Sequence, residues 1–178
     1  MQAEYFNNKA VIPAGTTCIS CCEFQGCTGL TSIEIPDSVT EIGDEAFSGC
    51  TGLTSIKIPD SVTSIGIYAF TECTGLTSIK IPHRVTKIGD YAFSYCAKLT
   101  SIEIPDSVTE IGDDAFSGCN CLVEIKLHFS SPLKAHSLIN DSGIIREQIT
   151  LFTPIGTGPA YRDDAFFKDF KEIKPILS

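Results

Sequence analysis

The chain lacks most of the features that give a function away. No apolar run approaches the roughly 20 residues that a membrane-spanning helix needs, so no membrane insertion is expected. The opening stretch MQAEYFNNKAVIPAG has neither a basic n-region nor an apolar h-region and does not read as a signal peptide. The expectation is either an intracellular protein or a form from which an export signal has been removed. Positive charge is scarce, with 13 Lys and Arg against 22 Asp and Glu and a net charge of −9. A surface of that sign has little hold on nucleic acid or an anionic membrane, both of which reward clustered Lys and Arg. Histidine is limited to His83, His128 and His136, scattered along the chain. There is no GxSxG and no HExxH. Ile155-Gly156-Thr157-Gly158 lacks the lysine and helix of a phosphate-binding loop and reads as a turn. Asn140-Asp141-Ser142 matches a glycosylation sequon, which matters only in a eukaryotic secretory context. No catalytic residue, metal or cofactor is expected.

What the chain does have is repetition. Leu99 to Cys119, LTSIEIPDSVTEIGDDAFSGC, belongs to a 23-residue unit that also fills 28–50, 51–73 and 74–96. The copies at 28–50 and 97–119 differ only at Thr28/Ala97, Gly29/Lys98 and Glu45/Asp114. A fixed period of this length signals a stacked-repeat architecture, because no single unit can bury its own apolar face. Residues 30–121 carry 13 acids and 5 bases, so the acidity belongs to the repeats and the two ends are nearly neutral.

Within a unit the pattern is that of strands. Ile33 and Ile35 alternate with Ser32 and Glu34, the period of two expected of a half-buried strand. Pro36 ends it, since proline cannot donate to a ladder. Asp37-Ser38 fits a turn. Val39 and Ile42 then point inward from a second short extended piece. Gly43 marks a corner whose backbone other residues would strain. Asp44-Glu45-Ala46-Phe47 reads as one helical turn capped by Asp44, a cap that Asp90 and Asp113 repeat and Ile67 does not. Phe47, Phe70, Phe93 and Phe116 plug the core. Stacked at about 4.8 Å, five or six coils give a core on the order of 25–30 Å long.

The ends depart from this pattern. Residues 1–27 hold a degenerate repeat, with Ile12-Pro13, Ile19, Phe24 and Cys27 in phase but Thr16 and Glu23 at core positions, which reads as an N-terminal cap. Residues 28–127 are the full repeats. The segment 128–178 is irregular to about 150. A short strand follows, then a turn from Pro154 to Pro159, a helix over roughly Tyr161 to Phe170, and an extended piece around Ile173. Phe166, Phe167 and Phe170 would lay that helix on the open end of the stack. The chain reads as a single domain.

Cys27, Cys50, Cys73, Cys96 and Cys119 occupy one column and read as packing, because parallel side chains rarely meet disulfide torsions. Cys18, Cys21 and Cys22 lie outside that column, as does Cys121. Cys18-x-x-Cys21 has zinc-like spacing without a second ligand pair. Free thiols, a disulfide within the N-terminal cap, and a metal all remain open for the first three.

The unit LxxIxIPxxVTxIGxxAFxxC over residues 11–127 resembles the BspA-like leucine-rich repeats. The tail residues Tyr161, Phe167, Phe170 and Ile173 resemble the closing segment of bacterial members. The resemblance implies an α/β but mostly β solenoid, a right-handed superhelix of 23-residue coils with short helical turns and capped ends. It further implies that the LxxIxI strands line one face, that the role is binding or adhesion at a cell surface, and that there are no catalytic residues. On that face the outward positions form one row of Ser32, Ser55, Ser78, Ser101 and Glu124, and another of Glu34, Lys57, Lys80, Glu103 and Lys126. The face is the candidate surface for a protein or glycan partner, carried by Ser32, Glu34, Ser55, Lys57, Ser78, Lys80, Ser101, Glu103 and Lys126. The competing reading is a solvated sheet whose opposite charges pair across strands, each pair worth about 0.2–1 kcal/mol. The alternative function is a structural spacer with weak self-association through its ends, driven by Phe167 and Phe170.

Overall fold

A computed structural model describes residues 4–6, 8–131, 146–165 and 167–177. The chain winds into a mostly β parallel solenoid of about seven coils. It opens with β1 (Glu4–Phe6), β2 (Lys9–Val11) and β3 (Cys18–Ile19). The repeats supply β4 (Ser32–Glu34), β5 (Glu41–Ile42), β6 (Ser64–Ile65), β7 (Ser78–Lys80) and β8 (Lys87–Ile88). They end with β9 (Ser101–Ile104), β10 (Glu110–Ile111) and β11 (Glu124–Leu127). After a 3-10 turn at Arg146–Gln148 come β12 (Thr150–Thr153), helix α1 (Gly158–Asp163) and β13 (Glu172–Pro175).

Three sheets form the walls, in the orders β1-β2-β4, β7-β9-β11-β12-β13 and β3-β5-β6-β8-β10. Every pairing is parallel except β1 with β2, an N-terminal hairpin absent from the sequence reading. The first two sheets are the LxxIxI side of the coil and the third is the VTxIG side. The LxxIxI ladder is interrupted in the second repeat. There Ile56 and Ile58 are still buried, but residues 54–58 form no strand.

The interior is a set of ladders. Phe24, Phe47, Phe70, Phe93 and Phe116 stack with centroids 5.2, 5.1, 5.2 and 5.3 Å apart and planes within 9°. Each such pair adds about 0.5–1.5 kcal/mol beyond area burial. The cysteine column does more than fill space. The Sγ–H groups of Cys50, Cys73, Cys96 and Cys119 donate to the carbonyls of Phe24, Phe47, Phe70 and Phe93 at 3.1–3.3 Å. Burial pushes the Cys50 thiol up to about 12 and raises Cys73 further; a bond to Cys119 together with burial raises Cys96. Threonines tie neighbouring coils: Thr63 donates both its N–H and its hydroxyl to the Thr40 carbonyl, and Thr86 and Thr109 repeat the motif.

The third side of the coil is not the helical turn that DxAF suggests. Cys22, Glu45, Tyr68, Tyr91 and Asp114 form a column of left-handed residues with φ of 55–60°. Gly26, Gly49, Glu72, Tyr95 and Gly118 form a second one, four residues on. A left-handed residue inside each turn stops a helix from propagating. Phe24, Phe47, Phe70 and Phe93, which sit between these two positions, donate their N–H to the next coil's alanine carbonyl at 2.7–2.8 Å. The aspartates cap the neighbouring coil rather than their own: Asp44 Oδ1 accepts from Ile67 N–H at 2.7 Å, and Asp90 Oδ1 from Asp113 N–H at 3.0 Å. The corner glycine is also there for a different reason. A Cβ on Gly89 would lie 2.6 Å from the Gly66 carbonyl carbon and the Ile67 nitrogen, so glycine lets coils approach rather than bend.

At the C-terminal end α1 stops at Asp163, and the expected Tyr161–Phe170 helix gives way to turns. Tyr161 is fully buried, its hydroxyl donating to the Phe129 carbonyl at 3.0 Å and its ring edge-on to Phe167 at 5.1 Å. Phe167 and Phe170 are buried in the core, so the cap consumes the residues to which self-association was assigned. His136 and the Asn140 sequon lie outside the described residues.

Candidate functional site

The β7-β9-β11-β12-β13 ladder sets two outward rows in register. One runs Ser78, Ser101, Glu124, Thr150, Glu172; the other runs Lys80, Glu103, Lys126, Phe152, Lys174. The β2-β4 pair adds Lys9 beside Ser32, and Val11 beside Glu34. Ser55 and Lys57 are exposed between the two ladders but belong to neither strand array. Thus Ser78, Lys80, Ser101, Glu103 and Lys126 form one continuous surface, while Ser32 and Glu34 stand on a separate sheet. A shallow groove of 170 Å³ lies on the continuous part, lined by Lys80, Ser101, Glu103, Glu124 and Lys126 over Ile79 and Ile102.

Among the described residues no Lys–Glu pair joins neighbouring strands on this face. Glu103 Oε1 lies 2.8 Å from Nε2 of His128, the residue that replaces proline at the end of β11 and reaches back one coil. Lys126 Nζ lies 3.5 Å from Glu124 and 5.9 Å from the Phe152 ring centroid. Lys57 and Lys80 form no ion pair among the described residues. The VTxIG sheet carries the pair Lys87–Glu110 at 3.5 Å, with both side chains mostly exposed. A pair in that setting contributes about 0–1 kcal/mol.

Phe152 and Lys174, with Thr150 and Glu172, are face residues that sequence reading missed. Their signal was weak, because β12 and β13 lack the IP motif and sit off the 23-residue period.

All nine cysteines are free thiols. The Cys21 and Cys22 sulfurs are exposed and 3.1 Å apart, a contact that pushes Cys22 up to about 11. Among the described residues no group of three His, Cys, Asp or Glu is placed to hold a metal, and no helix is long and apolar enough to cross a membrane. The strand face therefore offers charges, hydroxyls and one ring on a rigid wall.

The model of the BspA type leucine rich repeat region matches residues 4–130 in six copies. No curated protein matches the chain in sequence. The crystal structure of a leucine-rich repeat protein of T. pallidum, TpLRR, is similar at 27% identity and TM-score 0.69, over 95% of this chain and 71% of that one. The pneumococcal vaccine antigen PcpA shares the fold at 16% identity and TM-score 0.68, over 96% of this chain and 41% of its own length.

Proposed function

Because the chain belongs to the BspA-type leucine-rich repeat family, we propose that it is a non-enzymatic binding module of a bacterial cell surface, engaging a protein or glycan partner through its strand-lined face. The observation that carries this reading is the set of in-register rows on β7, β9, β11, β12 and β13. A rigid wall of parallel strands holds side chains at fixed spacing, so a partner meets an ordered surface and little ordering entropy opposes binding. Lys80 forms no ion pair among the described residues, and Lys126 lies over the Phe152 ring, so the wall offers exposed charge beside an aromatic surface. Ser32 and Glu34 on the neighbouring sheet, with the exposed Ser55 and Lys57 between the two, lie on the same side of the coil and are the proposed N-terminal part of that surface.

The test is adhesion of protein-coated beads to panels of matrix proteins and glycans, comparing wild type with a Lys80→Glu/Lys126→Glu double variant. The expected result is saturable binding to one class, weakened at least about tenfold in the variant, the scale of one or two interface anchors. Equal adhesion of the two proteins would refute the assignment of the face.

A further inference from the structure

The turn side of the solenoid presents a surface that the strand face does not account for. In the middle coils, tyrosines occupy the left-handed positions: Tyr68 and Tyr91 in one column, Tyr95 in the other. A side chain at positive φ is strained, and Gly26, Gly49 and Gly118 show that glycine serves the Tyr95 column. These rings also bury little. Tyr95 is 54% exposed, and Tyr68 and its neighbour Ile67 are 40% exposed. Tyr68 stacks on Tyr91 at 4.9 Å, Tyr91 is hydrogen-bonded to the Asp114 carboxylate, and Tyr95 leans over Gly118.

The rings stand among carboxylates, with Lys98 the base that follows Tyr95 in the chain. The turn segments 43–50, 66–73, 89–96 and 112–119 contain six carboxylates and no Lys or Arg, against a net charge of −9 for the whole chain. A trough of 420 Å³ borders this side, with Asp90 and Asp113 on its wall; its single base, Lys87, is held by Glu110. Exposed aromatic faces beside carboxylates suit cations, above all guanidinium groups, which stack on rings and bond carboxylates in two-point fashion. A neutral sugar could stack on the rings and donate hydroxyls to the carboxylates but would leave their charge unbalanced, whereas a cationic segment meets both, and an anionic partner would be repelled.

We propose that this turn face docks a Lys- or Arg-rich polypeptide segment, at a site separate from the strand face. The test is fluorescence anisotropy with a labelled arginine- and glycine-rich peptide and a counterpart carrying glutamate in place of arginine. The arginine peptide binds and the glutamate peptide does not. Raising salt from about 50 to about 500 mM weakens binding roughly tenfold or more, because screening shortens to a few ångströms. Tyr95→Gly installs the residue that three equivalent positions already carry, so the coil folds, and it weakens binding about three- to tenfold; Tyr95→Phe keeps the ring and the affinity. Glu72→Gln weakens binding at low salt and not at high salt. The proposal is overturned if Tyr95→Gly binds like wild type, if both peptides bind alike, or if a neutral oligosaccharide binds with the same dependence on Tyr95 while the arginine peptide does not. Failure here leaves the strand-face reading intact, since that reading is measured with other probes and at Lys80 and Lys126.

Discussion

Alanine at Gly89 and alanine at Gly49 separate the two reasons this fold needs glycine. At Gly89 the backbone angles are ordinary, but a Cβ would meet the backbone of the previous coil at 2.6–2.7 Å. Relief requires the coils to part by most of an ångström, against the Gly89 N–H bond to the Ile65 carbonyl at 2.9 Å. Overpacking of this kind costs about 1–3 kcal/mol, and stretching the bond about 0.5–1.5 kcal/mol more. At Gly49 the nearest atom to a new Cβ is 3.5 Å away, and only the positive φ of 72° is strained. That strain is about 1–2 kcal/mol, of which about 0.4–1 kcal/mol is offset by a stiffer unfolded chain. The same offset applies to Gly89→Ala, leaving roughly 0.5–4 kcal/mol there and about 0–1.5 kcal/mol for Gly49→Ala. For a chain of this size the shift in thermal midpoint is about 2–4 °C per kcal/mol. Circular dichroism melts should therefore show Gly49→Ala a few degrees below wild type and Gly89→Ala clearly lower. If Gly49→Ala proves the more damaging, the stacking account of the corner glycines is wrong.

Further outcomes follow from the core and the cap. Native protein treated with iodoacetamide and mapped by mass spectrometry should be alkylated at the exposed Cys21 and Cys121 but not at Cys50, Cys73, Cys96 or Cys119; rapid native labelling of those four would contradict the buried ladder. Since the fold raises Cys50 from an ordinary 9.0 to about 12, its contribution is full below pH 9 and fades as pH rises through about 12, where the unfolded chain ionises first. Cys73 and Cys96 act in the same direction, so the unfolding midpoint should fall above pH 9, and a Cys73→Ala variant should show a shallower fall. Tyr161→Phe removes the donor to the Phe129 carbonyl and should cost about 1–3 kcal/mol, read as a lower urea midpoint; an unchanged midpoint would mean that the cap is not held by this bond.

The stacked architecture was legible because the same residue types recur at one period, and a ladder needs nothing more than that. Phe47, Phe70 and Phe93 declare both the column and its burial. Local conformation was less legible. Asp44-Glu45-Ala46-Phe47 has the composition of a capped helical turn, and nothing in the properties of Glu45 announces a left-handed backbone; the hint was Gly49 and Gly118 aligned with Glu72 and Tyr95. The outward rows were readable from the alternation of Ser32-Ile33-Glu34, but the partners of Glu103 were not. Pairing on a parallel wall depends on which neighbour has the reach, and His128 does. Phe152 and Lys174 joined the face through strands that had lost the motif, where only the alternation of TLFT remained to be seen.

The most direct measurement places a photo-crosslinking amino acid at Ser101 on the strand face, at Ser64 on the VTxIG sheet and at Tyr95 on the turn side, each in an otherwise unchanged chain. Irradiation follows with the matrix protein or glycan that wild-type beads retain. The account predicts a covalent adduct from Ser101 and none from Ser64 or Tyr95. An adduct from Ser64 without one from Ser101 would contradict the strand face as the binding surface.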